Sequence, residues 1–369
     1  MPLTYSRPLL TSAVLAALCL SSSAFAAQVS VYGRIDTGLV YQNFFGDSVR
    51  DNTFTMESGA NTASRVGLRG EENLSSDVSV GFRIESRFAS DTGELKGGRL
   101  FEGMSLINVV SKTWGELAAG RIAGVGSGAG PYDLQFFMDA FGGGTFGSAL
   151  APVKSTRMDN MIVYRTPKLG DFQATFQHSL KINSLDTKDA GEEGEASSTR
   201  YWSSGIRFNR GALNLVAIYE GTTWGHDSFT GADKDKSVFT LGGSYRLNDV
   251  TYYLQGQYFN GVEKIDAMSA SKTASQLKGY GIYGGTQVWF GLSSWQSMVY
   301  WRDYKLDSQN ASDKKGRSIG IATKYLYRPS KTIDMYVGAG YSQWDRLGSK
   351  GEGLTDKSVN VFTGITKYF

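Results

Sequence analysis

From Gln28 onward, apolar positions recur at every second residue. Val29, Val31, Ile35, Leu39 and Tyr41 share one face of the first segment, and Ser30, Tyr32, Arg34 and Asp36 share the other. Val78, Val80, Phe82, Ile84 and Phe88 oppose Ser79, Arg83, Glu85 and Arg87 in the same way. Near the end, Val359, Val361, Thr363, Ile365 and Phe369 oppose Ser358, Asn360, Gly364 and Thr366. A period of two with one apolar and one polar face is the signature of a strand. Sixteen such runs are read, at 28–43, 62–72, 77–89, 99–112, 114–121, 157–167, 170–181, 199–209, 212–223, 236–247, 250–260, 275–290, 294–306, 316–328, 332–345 and 357–369.

The connections alternate as well. Short ones such as Arg210-Gly211 and Asn248-Asp249 are followed by long ones, roughly 44–61, 122–156, 182–198, 224–235, 261–274, 307–315 and 346–356. Antiparallel strands with tight turns at one end and long loops at the other describe an all-β, 16-stranded transmembrane β-barrel of the outer-membrane type. In a barrel of this size the interior is too wide for side chains to fill. The polar face then lines a wet lumen and the apolar face meets lipid. An even strand count closes the sheet and leaves no unpaired edge in hydrocarbon.

Composition narrows the chemistry. The 38 lysines and arginines barely exceed the 35 acids, so a global basic field for nucleic acid is excluded as a theme. Two histidines and one cysteine cannot build a Cys/His zinc site, and no metal or cofactor is expected. Residues 1–26 read as a secretory signal peptide: Arg7, an apolar run from Leu9 to Leu20, and the Ala24-Phe25-Ala26 cleavage pattern. Residues 27–369 are then a single barrel domain without cysteine. His178 and Ser179 are adjacent in a strand and point to opposite faces, so they cannot form a nucleophile–base pair. His226 falls in a loop, and no enzyme is expected. The acidic run Asp186 to Glu195 reads as a solvated loop or as a divalent-cation site.

The candidate functional residues are arginines on the polar face: Arg34, Arg65, Arg83 and Arg157, with Arg69 and Arg87 on the same faces. Neighbouring guanidiniums keep their charge and focus the field on passing ions. The longest connection, 122–156, is less polar than the others, with Leu134, Phe136, Phe137, Met138, Phe141 and Phe146. It is expected to fold into the barrel and narrow it, turning at Gly142, Gly143 and Gly144, with Asp133 and Asp139 facing the arginines. The alternative for its apolar side chains is a contact between copies of the chain.

Several stretches resemble the general diffusion porins of Gram-negative bacteria, especially their β-proteobacterial branch. They are Val31-Tyr32-Gly33-Arg34, Ser64-Arg65-Val66-Gly67-Leu68-Arg69-Gly70-Glu71-Glu72, Trp114 to Arg121, Arg157 to Tyr164, and the terminal Tyr368-Phe369. The resemblance implies a water-filled homotrimeric channel in the outer membrane. Such a channel lets ions and small hydrophilic solutes diffuse passively, beside lipid and lipopolysaccharide. It also implies that Arg34, Arg65 and Arg157 form the basic side of the constriction, and that Phe369 is read by the assembly machinery. Three positions depart from the family pattern: Gly103 where an arginine is common, Asp139-Ala140-Phe141-Gly142-Gly143 without the usual glutamate, and Lys367 for an aromatic. With more fixed arginines than loop acids, a mild anion preference is expected. The rival reading is a substrate-specific channel with Tyr32, Tyr253, Tyr283 and Trp289 as a sugar-stacking track.

Overall fold

The computed structural model describes residues 28–47, 51–142, 144, 153–184, 191–225, 234–262, 276–306, 315–345, 347 and 354–369. Residues 1–26, expected to be a leader, and His226 lie outside them, as do Gly143 and residues 186–190 of the acidic run. The strands are β1 (Ser30–Gly46), β2 (Asp51–Ser58), β3 (Arg65–Asn73), β4 (Val78–Arg87), β5 (Met104–Ser111) and β6 (Gly115–Ala123). They continue as β7 (Arg157–Arg165), β8 (Phe172–Ser179), β9 (Arg200–Arg210), β10 (Leu213–Thr223), β11 (Lys236–Leu247) and β12 (Val250–Val262). The last five are β13 (Leu277–Phe290), β14 (Ser293–Leu306), β15 (Lys315–Ser330), β16 (Ile333–Asp345) and β17 (Thr355–Tyr368). Every pairing is antiparallel, all but β1–β3 and β1–β17 join chain neighbours, and β17 returns to β1 from Arg34↔Tyr368 to Gly46↔Asp356.

The ring has sixteen positions, because β2 and β3 share one. β2 pairs with Thr37–Phe44 of β1 and β3 with Ser30–Arg34. Between them residues 59–64 turn inward and are stitched to β1 at Asp36. Its carbonyl accepts from the Gly59 amide (3.1 Å) and the Ser64 hydroxyl (3.1 Å), and its amide donates to Ser64 Oγ (3.0 Å). The sequence reading placed a loop over 44–61. The structure extends β1 and adds β2, because Phe54 and Met56 lie opposite Tyr41 and Leu39 and continue the outward apolar file. β5 in turn starts at Met104 rather than 99, since Gly97 and Gly98 adopt positive φ in a 3₁₀ turn.

The polarity is that of a membrane barrel. Leucine, isoleucine, valine and aromatic side chains point outward and are exposed all round the ring: Leu117, Ile162, Phe176, Leu241, Leu254, Val299, Ile321 and Val361 are examples. Asp36, Glu85, Glu116, Gln177, Gln255, Lys324 and Asn360 are buried on the inner side. Along β12 the outward file runs Tyr252, Leu254, Gly256, Tyr258, with aromatics at both ends and an aliphatic between them. This is the girdle pattern of a strand spanning a bilayer. No helix among the described residues is long and apolar enough to cross a membrane.

The seam is sealed by the two chain ends. Gly33 donates to Phe369 O (3.0 Å) and accepts from Phe369 N (3.1 Å). A Cβ at residue 33 would sit 2.5 Å from the Phe369 ring, so only glycine lets that ring lie across β1. Gly33→Val is therefore expected to destabilise the closed barrel by about 1–3 kcal/mol, the usual cost of overpacking. It should show as a lower urea midpoint in detergent or vesicles and as less of the fast-migrating folded form on unboiled gels.

Candidate functional site

Hairpin register brings arginines together on the inner wall. Arg34 lies directly opposite Arg65, and Arg65 opposite Arg87. Arg157, opposite Ala123 on β6, has Arg65 and Arg87 as charged neighbours. Like charges placed opposite one another repel, so the wall supplies anchors. Arg65 donates to both oxygens of Glu85 at 3.1 Å, and Arg87 Nε lies 2.7 Å from Glu102 Oε2. Arg34 Nε donates to Ala63 O (3.1 Å) and Arg157 Nε to Gly103 O (2.8 Å). Among the described residues neither Arg34 nor Arg157 has a carboxylate in contact. The four guanidiniums thus have two carboxylates in contact between them, Glu102 being shared with Arg121 at 3.8 Å and Asp36 lying near Arg34 without touching it.

Arg83 is not part of this row. It sits four residues nearer the short turns, opposite Arg69, in a polar recess with Ser30, Ser79 and Asn108. Arg87 takes the place expected for Arg83. Both face inward in the sequence pattern, and only the register set by the 73–78 turn separates them. Gly103 has no room for a side chain, because a Cβ there would be 2.7 Å from Glu85 Oε1. Arg99, whose register the sequence left open, reaches β7 from the loop instead. It donates to both oxygens of Asp159 (2.7 and 2.8 Å), which also accepts from Arg121 (2.5 Å).

The segment between β6 and β7 is held by the polar face of the far wall. Val125 N donates to Gln177 Oε1 (2.9 Å), Gln135 Nε2 to Gln255 Oε1 (2.6 Å) and Val153 N to Gln257 Oε1 (2.8 Å). These glutamines satisfy backbone and amide groups of a segment whose described residues have little regular structure of their own. A 3₁₀ turn, Gln135–Met138, lies over β10, β11 and β12. Leu134 and Met138 pack on Val216 and Ile218, and Phe141 on Tyr283, Met298, Tyr300 and Tyr336. Leu134, Met138 and Phe141 are thus buried within one chain, whereas Phe136 is exposed and Phe146 lies outside the described residues. Lys324 caps the far end, donating to Phe141 O (3.1 Å) and Asn61 Oδ1 (2.8 Å). Gly142 and Gly144 have positive φ, and a Cβ at 144 would overlap the carbonyls of Ala60 and Asn61.

Asp133 and Asp139 do not contact the arginine row. Asp133 accepts from the amides of Gly128 (2.8 Å), Gln135 (3.2 Å) and Phe136 (3.0 Å). Burial pushes its carboxyl up to about 7, against the pull of those amides. Asp139 accepts from Phe141 N (2.9 Å) and pairs with Lys154 (3.4 Å). Both carboxylates are spent on the segment's own turns. Two wall acids that the sequence reading did not single out hold the segment: Glu220 accepts from the Gly126 amide (3.3 Å), and Glu116 binds it more fully. Glu116 on β6 accepts from the Tyr132 hydroxyl (2.6 Å) and Asn108 (2.8 Å) and pairs with Arg165. Arg165 also lies over the Tyr132 ring at 5.1 Å. Its position on the polar face was visible in the alternation, but its partners were not.

His178 is exposed on the outer face, while Ser179 is buried on the inner one. Of the four rings proposed as a stacking track, Tyr283 is buried beneath Phe141. Tyr32 lies under Arg69, and Trp289 under Arg328.

Comparison with known proteins bears on this geometry. Residues 11–346 match the family model described as Gram-negative porin. An outer membrane porin protein of Bordetella pertussis is 32% identical over 253 residues, covering 63% of this chain and 65% of that protein. The chain thus aligns with slightly less than two thirds of that relative's length. Outer membrane porin protein 32 of Delftia acidovorans is 27% identical over 334 residues, 87% and 86% of the two chains. Among solved structures, an anion-selective porin from Comamonas acidovorans superposes with a TM-score of 0.68. It has 20% identity, covering 93% of this chain and all of that one.

Replacing Glu116 by Ala would leave Arg165 and the Tyr132 hydroxyl without their acceptor. The expected cost is about 1–3 kcal/mol, read as a lower urea midpoint and faster protease cleavage within 124–156. Arg165→Ala should cost less, because Tyr132 keeps its acceptor.

Proposed function

The chain belongs to the Gram-negative porin family, the outer-membrane β-barrel diffusion channels, and from that premise we propose that its narrowest stretch runs between the arginine row and segment 124–156 and prefers anions. The observation that carries this reading is the pair Arg34 and Arg157. Their guanidiniums are held by backbone carbonyls rather than carboxylates, so the row keeps a surplus of positive charge. Guanidinium does not deprotonate in the working pH range, so the surplus is fixed. Solutes keep their hydration and are sorted by width and charge as they diffuse. Asp133 and Asp139, turned into the segment, offer little opposing charge. This weakens the transverse field expected from the sequence and strengthens the net anion preference.

The family match extends the reading to the rest of the chain. Residues 1–26 act as the export leader, Phe369 as the assembly signal, and three copies associate within the lipid and lipopolysaccharide of the outer membrane. The chain is a channel and not an enzyme: His178 faces lipid, separated by the wall from Ser179. The substrate-specific alternative is not favoured, since Tyr283 is covered and Tyr32 and Trp289 lie under arginines.

Reversal potentials in planar bilayers under a dilute KCl gradient test the reading. A unit charge about 7 Å from an ion in water is worth about 0.6 kcal/mol, a factor of about three in local ion density. Arg34→Ala and Arg157→Ala should each lower the anion-to-cation permeability ratio by about sevenfold at low salt, because anion density falls and cation density rises, each by that factor of about three, with the effect shrinking as salt rises. A cation-preferring wild type, or no shift in either variant, would refute the assignment. Arg83→Ala should shift the ratio less than either.

A further inference from the structure

Between β2 and β3 the ladder is broken by residues 59–64, which turn into the lumen. A kink in a strand needs one extra residue, as in a bulge, and this break is much longer. Ala60, Asn61, Thr62 and Ser64 are buried in it. Buried backbone must find partners, and the turn finds them on the first and last strands. Besides the bonds of Gly59 and Ser64 to Asp36, the Asn61 amide donates to Asp36 Oδ1 (3.4 Å) and the Asn61 side chain to Thr366 Oγ1 of β17 (3.3 Å).

The turn touches both sides of the passage. On one side Ala63 O accepts from Arg34 Nε (3.1 Å) and Arg65 Nε (3.4 Å), two guanidiniums of the row. On the other, the carbonyls of Ala60 and Asn61 lie against Gly144, and Asn61 Oδ1 accepts from Lys324 Nζ (2.8 Å). The same ammonium donates to Phe141 O (3.1 Å) and lies over the Phe141 ring at 4.7 Å. Ala63 stands two residues after Asn61. At most about 7 Å of chain therefore separates the acceptor for the row from the seat of the segment's tip.

Lys324 is not needed to pair β15, which at this rung faces Gln296 of β14 and Gly338 of β16 through its backbone. Its side chain is buried, and among the described residues no carboxylate touches it. Asp139, Asp36 and Asp334 act on it from further off. Burying an ammonium is costly, and here it joins the turn to the segment instead of closing the wall.

We propose that turn 59–64 is a strut that sets the width of the passage, with Asn61 and Lys324 as its positioning residues. It holds the arginine row and the segment's tip at one spacing, so the size limit for uncharged solutes depends on the contact of Asn61 with Lys324 and Phe141. The proposal rests on the reading that the passage runs between the row and the segment.

The test measures swelling of vesicles carrying the full chain in an uncharged monosaccharide and in an uncharged trisaccharide, which report width and not charge. Asn61→Ala and Lys324→Met should each raise the trisaccharide-to-monosaccharide rate ratio at least about twofold, since pore diameter sorts neutral solutes. The double variant should raise it no further than the larger single effect, because both changes remove one contact. Lys324→Met keeps the side-chain volume and buries no new charge, so the barrel should still close. The fast-migrating form on unboiled gels identifies folded protein, and swelling is scaled to it. Folded single variants with the wild-type ratio, or a double variant whose effect is the product of the two, would overturn the strut. The reversal potential of Arg34→Ala reports separately on the path: a shift there beside an unchanged sugar ratio removes the strut and leaves the path standing, and no shift removes both.

Discussion

Hydrocarbon offers no partner to a backbone amide or carbonyl, and every other property of this protein follows from meeting that condition by closing a sheet on itself. Closure forces the count of wall positions, the return of β17 to β1 and the contact of Phe369 with Gly33. It also fixes what each face of the wall must be. Side chains that look outward meet acyl chains and are Leu, Ile, Val and aromatic. Those that look inward meet water or segment 124–156 and carry the charge. A ring this wide cannot fill its interior with its own side chains, and wall glutamines and Glu116 hold described residues of the β6–β7 connection against its inner face.

The same geometry explains why arginines crowd together where repulsion should separate them. Register places Arg34, Arg65 and Arg87 on adjacent strands, and none can turn outward into lipid. Glu85 and Glu102 relieve part of the repulsion, and the carbonyls of Ala63 and Gly103 fix the remaining guanidiniums without neutralising them. Backbone acceptors are the means by which a wall can position a charge and still present it to the lumen.

Much of this could be read in the chain before folding. Alternation gave the strands, their faces and the alternating connection lengths, because strand periodicity is a local property of the sequence. It failed where the signal was not local. β2 alternates too, but with only two apolar positions, Phe54 and Met56, it is too short to stand out from a loop until it pairs with β1. Arg83 and Arg87 share a face, and only the exact register of β3 on β4 decides which of them stands beside Arg65. Asp133 and Asp139 were available acids in the sequence, but a segment with little regular structure must satisfy its own amides, and they are used for that. Glu116 looked like any inward polar residue until Tyr132 and Arg165 converged on it.

The seat of the segment's tip is assembled from both ends of the chain. Gly144 rests on Ala60 and Asn61 from the break after β2, and Lys324 of β15 donates to both Asn61 and Phe141. Asp36 of β1 accepts from Tyr336 of β16 (3.0 Å) and from Thr366 of β17. A half-built cylinder therefore offers the segment its anchors on β6 to β12 but no seat for its tip. The tip can settle only once the terminal staves have zipped onto the first.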